Sequence, residues 1–158
     1  MKEKTERELA QSSVAENRKA FHDYHIIETF EAGVALLGTE VKAIREGRVN
    51  LRDSFARVES GEVFLYNVHI SPYSHRGYAD HEPLRQRKLL LHKDEIRKLI
   101  GKTVERGMTL VPIRMYFKNG RVKVALSLAK GKKDYDKRET IKRREVDRET
   151  RAAIKSRR

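Results

Sequence analysis

Two kinds of apolar spacing run through the chain. Met108–Phe117 and Arg121–Leu128 alternate apolar and polar residues around Asn119-Gly120, a dipeptide that marks a two-residue hairpin because both turn positions need positive φ. Ser54–Val58 and Val63–Ile70 flank Ser60-Gly61 in the same manner. His25–Phe30 reads as a strand, followed by a turn at Ala32-Gly33 and a second apolar run, Val34–Leu37. Arg87–His92 is another strand, centred on Leu89-Leu90-Leu91. Helical spacing is briefer. Ser13-Val14-Ala15-Glu16 has the capping-box pattern and predicts a helix through His22. Glu40–Glu46 puts Val41 and Ile44 on one face before Gly47, and Lys93–Ile100 turns Ile96, Leu99 and Ile100 inward before Gly101. Strands dominate and helices interrupt them without alternating. The pattern predicts a mainly β fold: an antiparallel OB-type barrel of about six strands with about three short peripheral helices.

The apolar pattern also sets the boundaries. Residues 1–12 are polar and aperiodic and read as a mobile tail. Residues 13–129 hold nearly all the large apolar side chains, all 3 prolines and 8 of the 9 glycines, and form the barrel domain. Residues 130–158 carry 13 Lys and Arg against 6 acids. Beyond Gly131, Tyr135, Ile141, Val146 and Ile154 are their only sizeable apolar or aromatic side chains. So few cannot offset the ordering entropy, which predicts a basic tail disordered when free. No Gly or Pro interrupts Lys132–Arg158, and Glu139–Arg143 and Asp147–Arg151 are i,i+4 pairs in the favourable orientation. A tail that becomes helical on binding is the expectation, against a merely solvated basic tail.

Charge narrows the partner. The 158 residues contain 36 Lys and Arg and 23 Asp and Glu, a formal net charge of +13. Such a surplus attracts polyanions, above all phosphate backbones. A membrane surface would need an apolar helical stripe, but Ile141, Val146 and Ile154 are spaced by five and eight. The absence of cysteine excludes a disulfide scaffold and Cys-based zinc. The first ten residues carry no apolar leader core, so a cytoplasmic protein is expected.

Enzyme chemistry finds no foothold. His22, His25, His69, His75, His81 and His92 show no metal-ligand spacing, and no metal or other cofactor is expected. His25 and His69 read as structural, and His75 and His81 as surface-loop residues. There is no GxSxG, no phosphate-binding glycine loop and no paired carboxylates, Glu40 and Asp53 being isolated. The chain reads as a binder and not an enzyme. Three basic groups interleave with aromatic or flat side chains, as RNA binding requires: Arg18-Lys19 with Phe21-His22 and Tyr24; Arg85, Arg87 and Lys88 before Leu89-Leu90; and Lys130–Arg138 around Tyr135. The first could equally pack Phe21 inward and solvate its charges. Glu31 beside Gly33 could be a turn residue or an acceptor for the base protons of an unpaired RNA loop.

Read together, Asn17–Tyr24, Phe30-Glu31-Ala32-Gly33, Gly38–Arg45, Arg87–His92, Ala129–Lys133 and Asp136-Lys137-Arg138 resemble the SsrA-binding protein (small protein B) family over almost the whole chain from Asn17 onward. Tyr135 stands where the family has aromatic or imidazole residues, and the Ser74–Glu82 loop is idiosyncratic. The resemblance implies an OB-type barrel and a partner, transfer-messenger RNA, whose tRNA-like domain is held at its elbow during bacterial ribosome rescue, or trans-translation. Carried over by motif, the expected RNA contacts are Asn17, Lys19, Glu31, Lys88, Leu90 and Lys123. By spacing alone Leu90 would be a core residue. The tail would be helical in the ribosome. His22, Lys130, Gly131, Lys132, Lys133, Tyr135, Asp136, Lys137 and Arg138 would lie near the rRNA of the small-subunit decoding centre. Arg143, Arg144, Arg148, Arg151, Ile154 and Lys155 would line the mRNA channel. A monomer is expected, meeting the tRNA-delivering elongation factor only indirectly. The alternative is a structural ribosomal or general RNA-binding protein with a basic tail.

Overall fold

The computed structural model describes residues 13–73, 80–104, 107–132 and 134–156. Among these the elements run β1 (Ser13–Glu16), α1 (Arg18–Asp23), β2 (Tyr24–Val34), α2 (Gly38–Arg45), β3 (Val49–Asn50), β4 (Phe55–Glu59), β5 (Glu62–Tyr66), β6 (His69–Ile70), β7 (Arg87–Leu90), α3 (Lys93–Val104), β8 (Met108–Lys118), β9 (Arg121–Gly131) and α4 (Asp134–Ser156). The hydrogen-bonded order β8-β4-β5-β7-β2-β9 returns to β8, so six antiparallel strands close a ring. Closure removes the exposed edges that an open sheet would leave. β8 makes it possible by dividing one of its edges. Leu110 pairs with Ala56 of β4, and Arg114–Tyr116 pairs with β1. β3 and β6 form a separate two-stranded ladder.

Turn chemistry explains the two hairpins. Asn119 and Gly120 have φ 52° and 74°, and Ser60 and Gly61 have 51° and 78°, the doubly positive geometry that matches strand twist. Alternation then fills the barrel. Leu65, Leu89, Leu110, Met115, Val124, Leu126 and Leu128 are buried inside with Phe30 and Ala32. The outer faces of β8 and β9 bury Val111, Ile113 and Ala129 under Ala20 of α1. α2 adds Ala43 and Ile44 to the main core, and α3 adds Leu99. Arg45 of α2 lies 5.8 Å over the Phe117 ring, whereas Thr103 of α3 lies beside Met108–Leu110, so the two helices cover opposite ends of the barrel.

The structure revises several expectations. Ser13–Glu16 is a strand on β8, and the helix begins one residue after Asn17, whose side chain is the true cap. Ala32-Gly33 is no turn. β2 runs unbroken to Val34 because β7 and β9 pair with it on both sides there. Val63–Ile70 breaks at Asn67, where φ is 61°. α3 continues through Gly101, and Ile100 is exposed. There are four described helices, the fourth being α4 in the tail, over the run that neither Gly nor Pro interrupts. Its described side chains from Ile141 to Lys155 are exposed, and its contact with the barrel is at α1.

Candidate nucleic-acid interface

Strand register assembles a row of residues across the outside of the barrel. Leu90 of β7 pairs with Gly33 of β2, Gly33 with Lys123 of β9, and Lys123 with Tyr116 of β8. Leu90 is 53% exposed while its neighbour Leu89 is 1% exposed. Pleat alternation therefore puts an unpartnered leucine on the outer face and not in the core. Gly33 keeps the row flat. A Cβ there would sit 3.3 Å from Leu90 Cβ and 3.7 Å from Lys123 Nζ.

Glu31 lies on the same face two residues before Gly33. The Tyr116 hydroxyl donates to its Oε2 at 2.6 Å, and Lys118 Nζ donates to Oε1 at 3.0 Å and Oε2 at 3.3 Å. Burial presses this carboxyl upward, but the bonds from Tyr116 and Lys118 and the charges of Lys118 and Lys123 hold it below its ordinary value. Burial and the same carboxylate push the Tyr116 hydroxyl strongly upward. Glu31 is thus an oriented anion with acceptor capacity to spare. Beside it stand Lys123 and an apolar Leu90, so the face offers an acceptor for base edges, a cation for phosphate and a surface for a base plane.

The remaining predicted residues fall into three places. Lys88 shares the Leu90 face and bonds Glu62 at 2.9 Å. Asn17 is 4% exposed. Its Nδ2 donates to the carbonyls of Leu51 at 3.1 Å and Pro112 at 3.0 Å, and its Oδ1 accepts from Ala20 N–H. All of this capacity is used internally, so Asn17 anchors α1 and presents nothing outward. Lys19 pairs with Asp53 at 2.6 Å in a groove of about 350 Å3 between α1 and β4 that also contains Tyr24, Phe55 and Arg57. It lies outside the row.

The root of the tail is drawn to α1. His22 Nδ1 lies 2.9 Å from Asp23 Oδ1, Lys132 N–H donates to the Asp23 carbonyl at 2.8 Å, and Lys132 Nζ donates to the Phe21 carbonyl at 3.1 Å. A cation on the last carbonyls of a helix is favourably placed. Lys130 and Gly131 end β9 opposite His25 and Tyr24. His22, Lys130, Gly131 and Lys132 therefore come together. Lys133 lies outside the described residues. Tyr135, Asp136 and Lys137 belong to the first turn of α4, and Arg138 is exposed. Arg144, Arg148, Arg151 and Lys155 repeat at four, three and four residues along α4, which makes one basic face roughly 16 Å long at helical rise. Arg143 and Ile154 share a neighbouring face.

Sequence reasoning missed Tyr116 and Lys118, because nothing local couples them to Glu31. It also misplaced His81, which is buried against Thr39 Oγ1 and the Ile70 carbonyl, both at 2.9 Å. His75 lies outside the described residues, and His25 and His69 are exposed. Nor is Glu40 isolated. It is fully buried between Arg85 and Arg87, each at 2.5 Å, with the Leu37 N–H at 2.8 Å. Among the described residues no group of three or more acidic or imidazole side chains is placed to hold a metal ion, and no helix is long and apolar enough to cross a membrane.

A closed β-barrel whose outer face joins an apolar centre to lysines and an oriented acid, with a basic helix rooted beside it, is a small RNA-binding barrel protein. Comparison with known proteins gives the particular family. The model of the SmpB protein family matches residues 14–156, and the chain belongs to that family. The SsrA-binding protein of Carboxydothermus hydrogenoformans is 62% identical over 144 residues, 91% of this chain and 97% of that protein. That of Trichodesmium erythraeum is 63% identical over 146 residues, 92% and 94% of the two chains. A chain in the solved structure described as "tmRNA-SmpB: a journey to the center of the bacterial ribosome" superposes with TM-score 0.65 at 52% identity, over 80% of this chain and 93% of that one.

Proposed function

We propose that this protein binds the tRNA-like domain of transfer-messenger RNA and brings it to stalled ribosomes for trans-translation. The observation that carries the reading is the Leu90–Gly33–Lys123 row with Glu31 beside it, three chemistries suited to unpaired RNA assembled from three strands. Family membership supports it, as do the SsrA-binding proteins and the tmRNA-SmpB structure that the chain resembles. Leu90, Lys123, Glu31 and Lys88 contact the elbow, and Asn17 supports them through α1.

The tail reads vacancy. An intact message fills the mRNA channel, whereas a truncated one leaves it empty. The face of Arg144, Arg148, Arg151 and Lys155 tracks the rRNA phosphates of that channel, with Arg143 and Ile154 flanking it. His22 and Lys130–Arg138 lie at the decoding centre. The protein acts as a monomer in the cytoplasm and makes or breaks no bond. Peptide transfer belongs to the ribosome and GTP hydrolysis to the elongation factor delivering the charged RNA.

The test compares the full chain with one ending at Lys132, which keeps the β9 pairing and the α1 anchor. The shorter chain should bind transfer-messenger RNA nearly as well and fail to support tagging on ribosomes stalled at a message end. Loss of RNA binding on truncation would instead make the tail a general basic clamp.

A further inference from the structure

The row described above ends in a cleft. Val34 and Leu36 at the end of β2, Val41 of α2, Leu90 of β7, and Arg121 and Lys123 of β9 line it. The cleft measures about 460 Å3. That lies within the range of about 300–1,000 Å3 usual for small-ligand sites, which are mostly apolar with a few placed polar groups. Val34, Leu36 and Val41 are half-buried, and Leu90 is exposed. Exposed Leu90 and half-buried Val41 present aliphatic surface beside Val34 and Leu36, which lean on the main core, and on a protein with 37% charged residues such surface marks a binding site.

The lining selects the occupant. Its charged residues are Arg121 and Lys123, with no carboxylate among the lining side chains. A second copy of this chain would bring +13 against +13. An aliphatic cleft with two cations in its lining matches a nucleotide, the base taking the aliphatic side chains and the phosphate the cations. We infer that this cleft receives one unpaired nucleotide extruded from the bound RNA. The base lies against Leu90, Val41 and Leu36, and the adjoining phosphate pairs with Arg121 and Lys123. Aliphatic walls accept any base by its plane, so the cleft reads whether a base is free of its stack, and Glu31 alongside reads its edge. This rests on the RNA-binding reading above and adds Leu36, Val41 and Arg121 to it as the residues that choose an extruded base over a paired one.

Full-length protein and full-length transfer-messenger RNA test the inference. A fluorescent base analogue is placed singly at each unpaired elbow position, 2-aminopurine for purines and pyrrolocytosine for pyrimidines. One position should brighten on binding, because the base leaves its stacked neighbours for aliphatic walls. Val41→Trp fills the cleft, and should abolish that brightening and raise Kd about ten-fold. Arg121→Glu, at the exposed first position of β9, should weaken both readouts. Thermal melting reports whether Val41→Trp is folded; if it is not, Arg121→Glu decides alone. Brightening and affinity unchanged in the folded variants would overturn the inference and leave the aliphatic surface to a protein partner. Wild-type binding with no brightened position would overturn it too. Failure of the wild-type protein to bind this RNA at all would instead sink the RNA-binding reading itself.

Discussion

The barrel face and the tail helix present similar basic chemistry by opposite means. The face is written across strands. Glu31, Leu90, Tyr116 and Lys123 come from four strands and meet because the sheet closes. The tail is written along the chain, and Arg144, Arg148, Arg151 and Lys155 meet because a helix repeats every 3.6 residues. Long-range contacts make the face rigid before any ligand arrives. The exposed residues of the tail have little to bury, so its order depends on local propensity and on what it touches. The first design suits a fixed grip on a folded RNA. The second suits entry into a passage whose contents vary.

The sharpest way to break this contrast is to attack the barrel's buried ion pair. Arg87→Met leaves Glu40 buried beside a single remaining arginine, and loss of one partner of a buried pair costs about 3–5 kcal/mol. Denaturant unfolding should show this loss. Substituting glutamine for Arg144, Arg148, Arg151 and Lys155 together should leave the midpoint of the barrel transition unmoved while tagging collapses. A shifted midpoint in the tail variant would mean that the two regions fold as one unit.

Asn17→Ala is next. It removes the α1 cap and the amide bonds to the Pro112 and Leu51 carbonyls, the second of which keeps its Ser54 donors, so a loss of about 1–2 kcal/mol is expected. RNA affinity at temperatures well below the melting point should change little, since Asn17 presents nothing outward. A large affinity loss in the folded variant would move Asn17 from support to contact.

Acid sharpens the comparison more gently. Burial raises the Glu40 carboxyl, but bonds from Arg85, the Leu37 N–H and Arg87 overcome it, and the folded value lies below the ordinary 4.5. A carboxyl depressed on folding stabilises the fold above its unfolded value, and that contribution is lost as pH falls through the folded one. Barrel stability should therefore decline below about pH 4.5, and Glu40→Gln, already destabilised at neutral pH, should show a shallower decline. The tail's helicity should not follow this profile. Circular dichroism on the full chain, read against near-ultraviolet signals from the barrel tyrosines, separates the two.

The smallest expected effect is at the positioning hydroxyl. Tyr116→Phe removes one of the two groups that orient Glu31, and RNA affinity should weaken by about two- to ten-fold, the scale of one ordinary net hydrogen bond acting indirectly through Glu31. Gly33→Ala should act similarly by pressing on Leu90. Lys118 keeps Glu31 ionised in Tyr116→Phe, so affinity should remain flat between pH 6 and 8. A new pH dependence there would assign the carboxylate's ionisation to Tyr116 and not to its lysine.

What the sequence alone determined is what local physics can decide. Asn119-Gly120 and Ser60-Gly61 specify their hairpins because doubly positive φ is a property of the turn itself. The Val122–Leu128 alternation identifies an inward face, and the uninterrupted run after Lys132 identifies a helix, because pleat and helical period lie within a few residues. The family was legible too, since its motifs are contiguous stretches. Tertiary structure decided the rest. Ser13–Glu16 satisfies a capping-box pattern, yet pairing with β8 supplies hydrogen bonds that four residues of helix cannot match. Gly33 has the composition of a turn, yet it lies in a strand because β7 and β9 bracket it and need its missing side chain. Leu90 lies outside and Arg87 inside for the same reason. Closing the ring fixes which way each pleat points, so Arg87 of β7 faces inward and meets Glu40 of α2, and the neighbours that close a ring are far away along the chain.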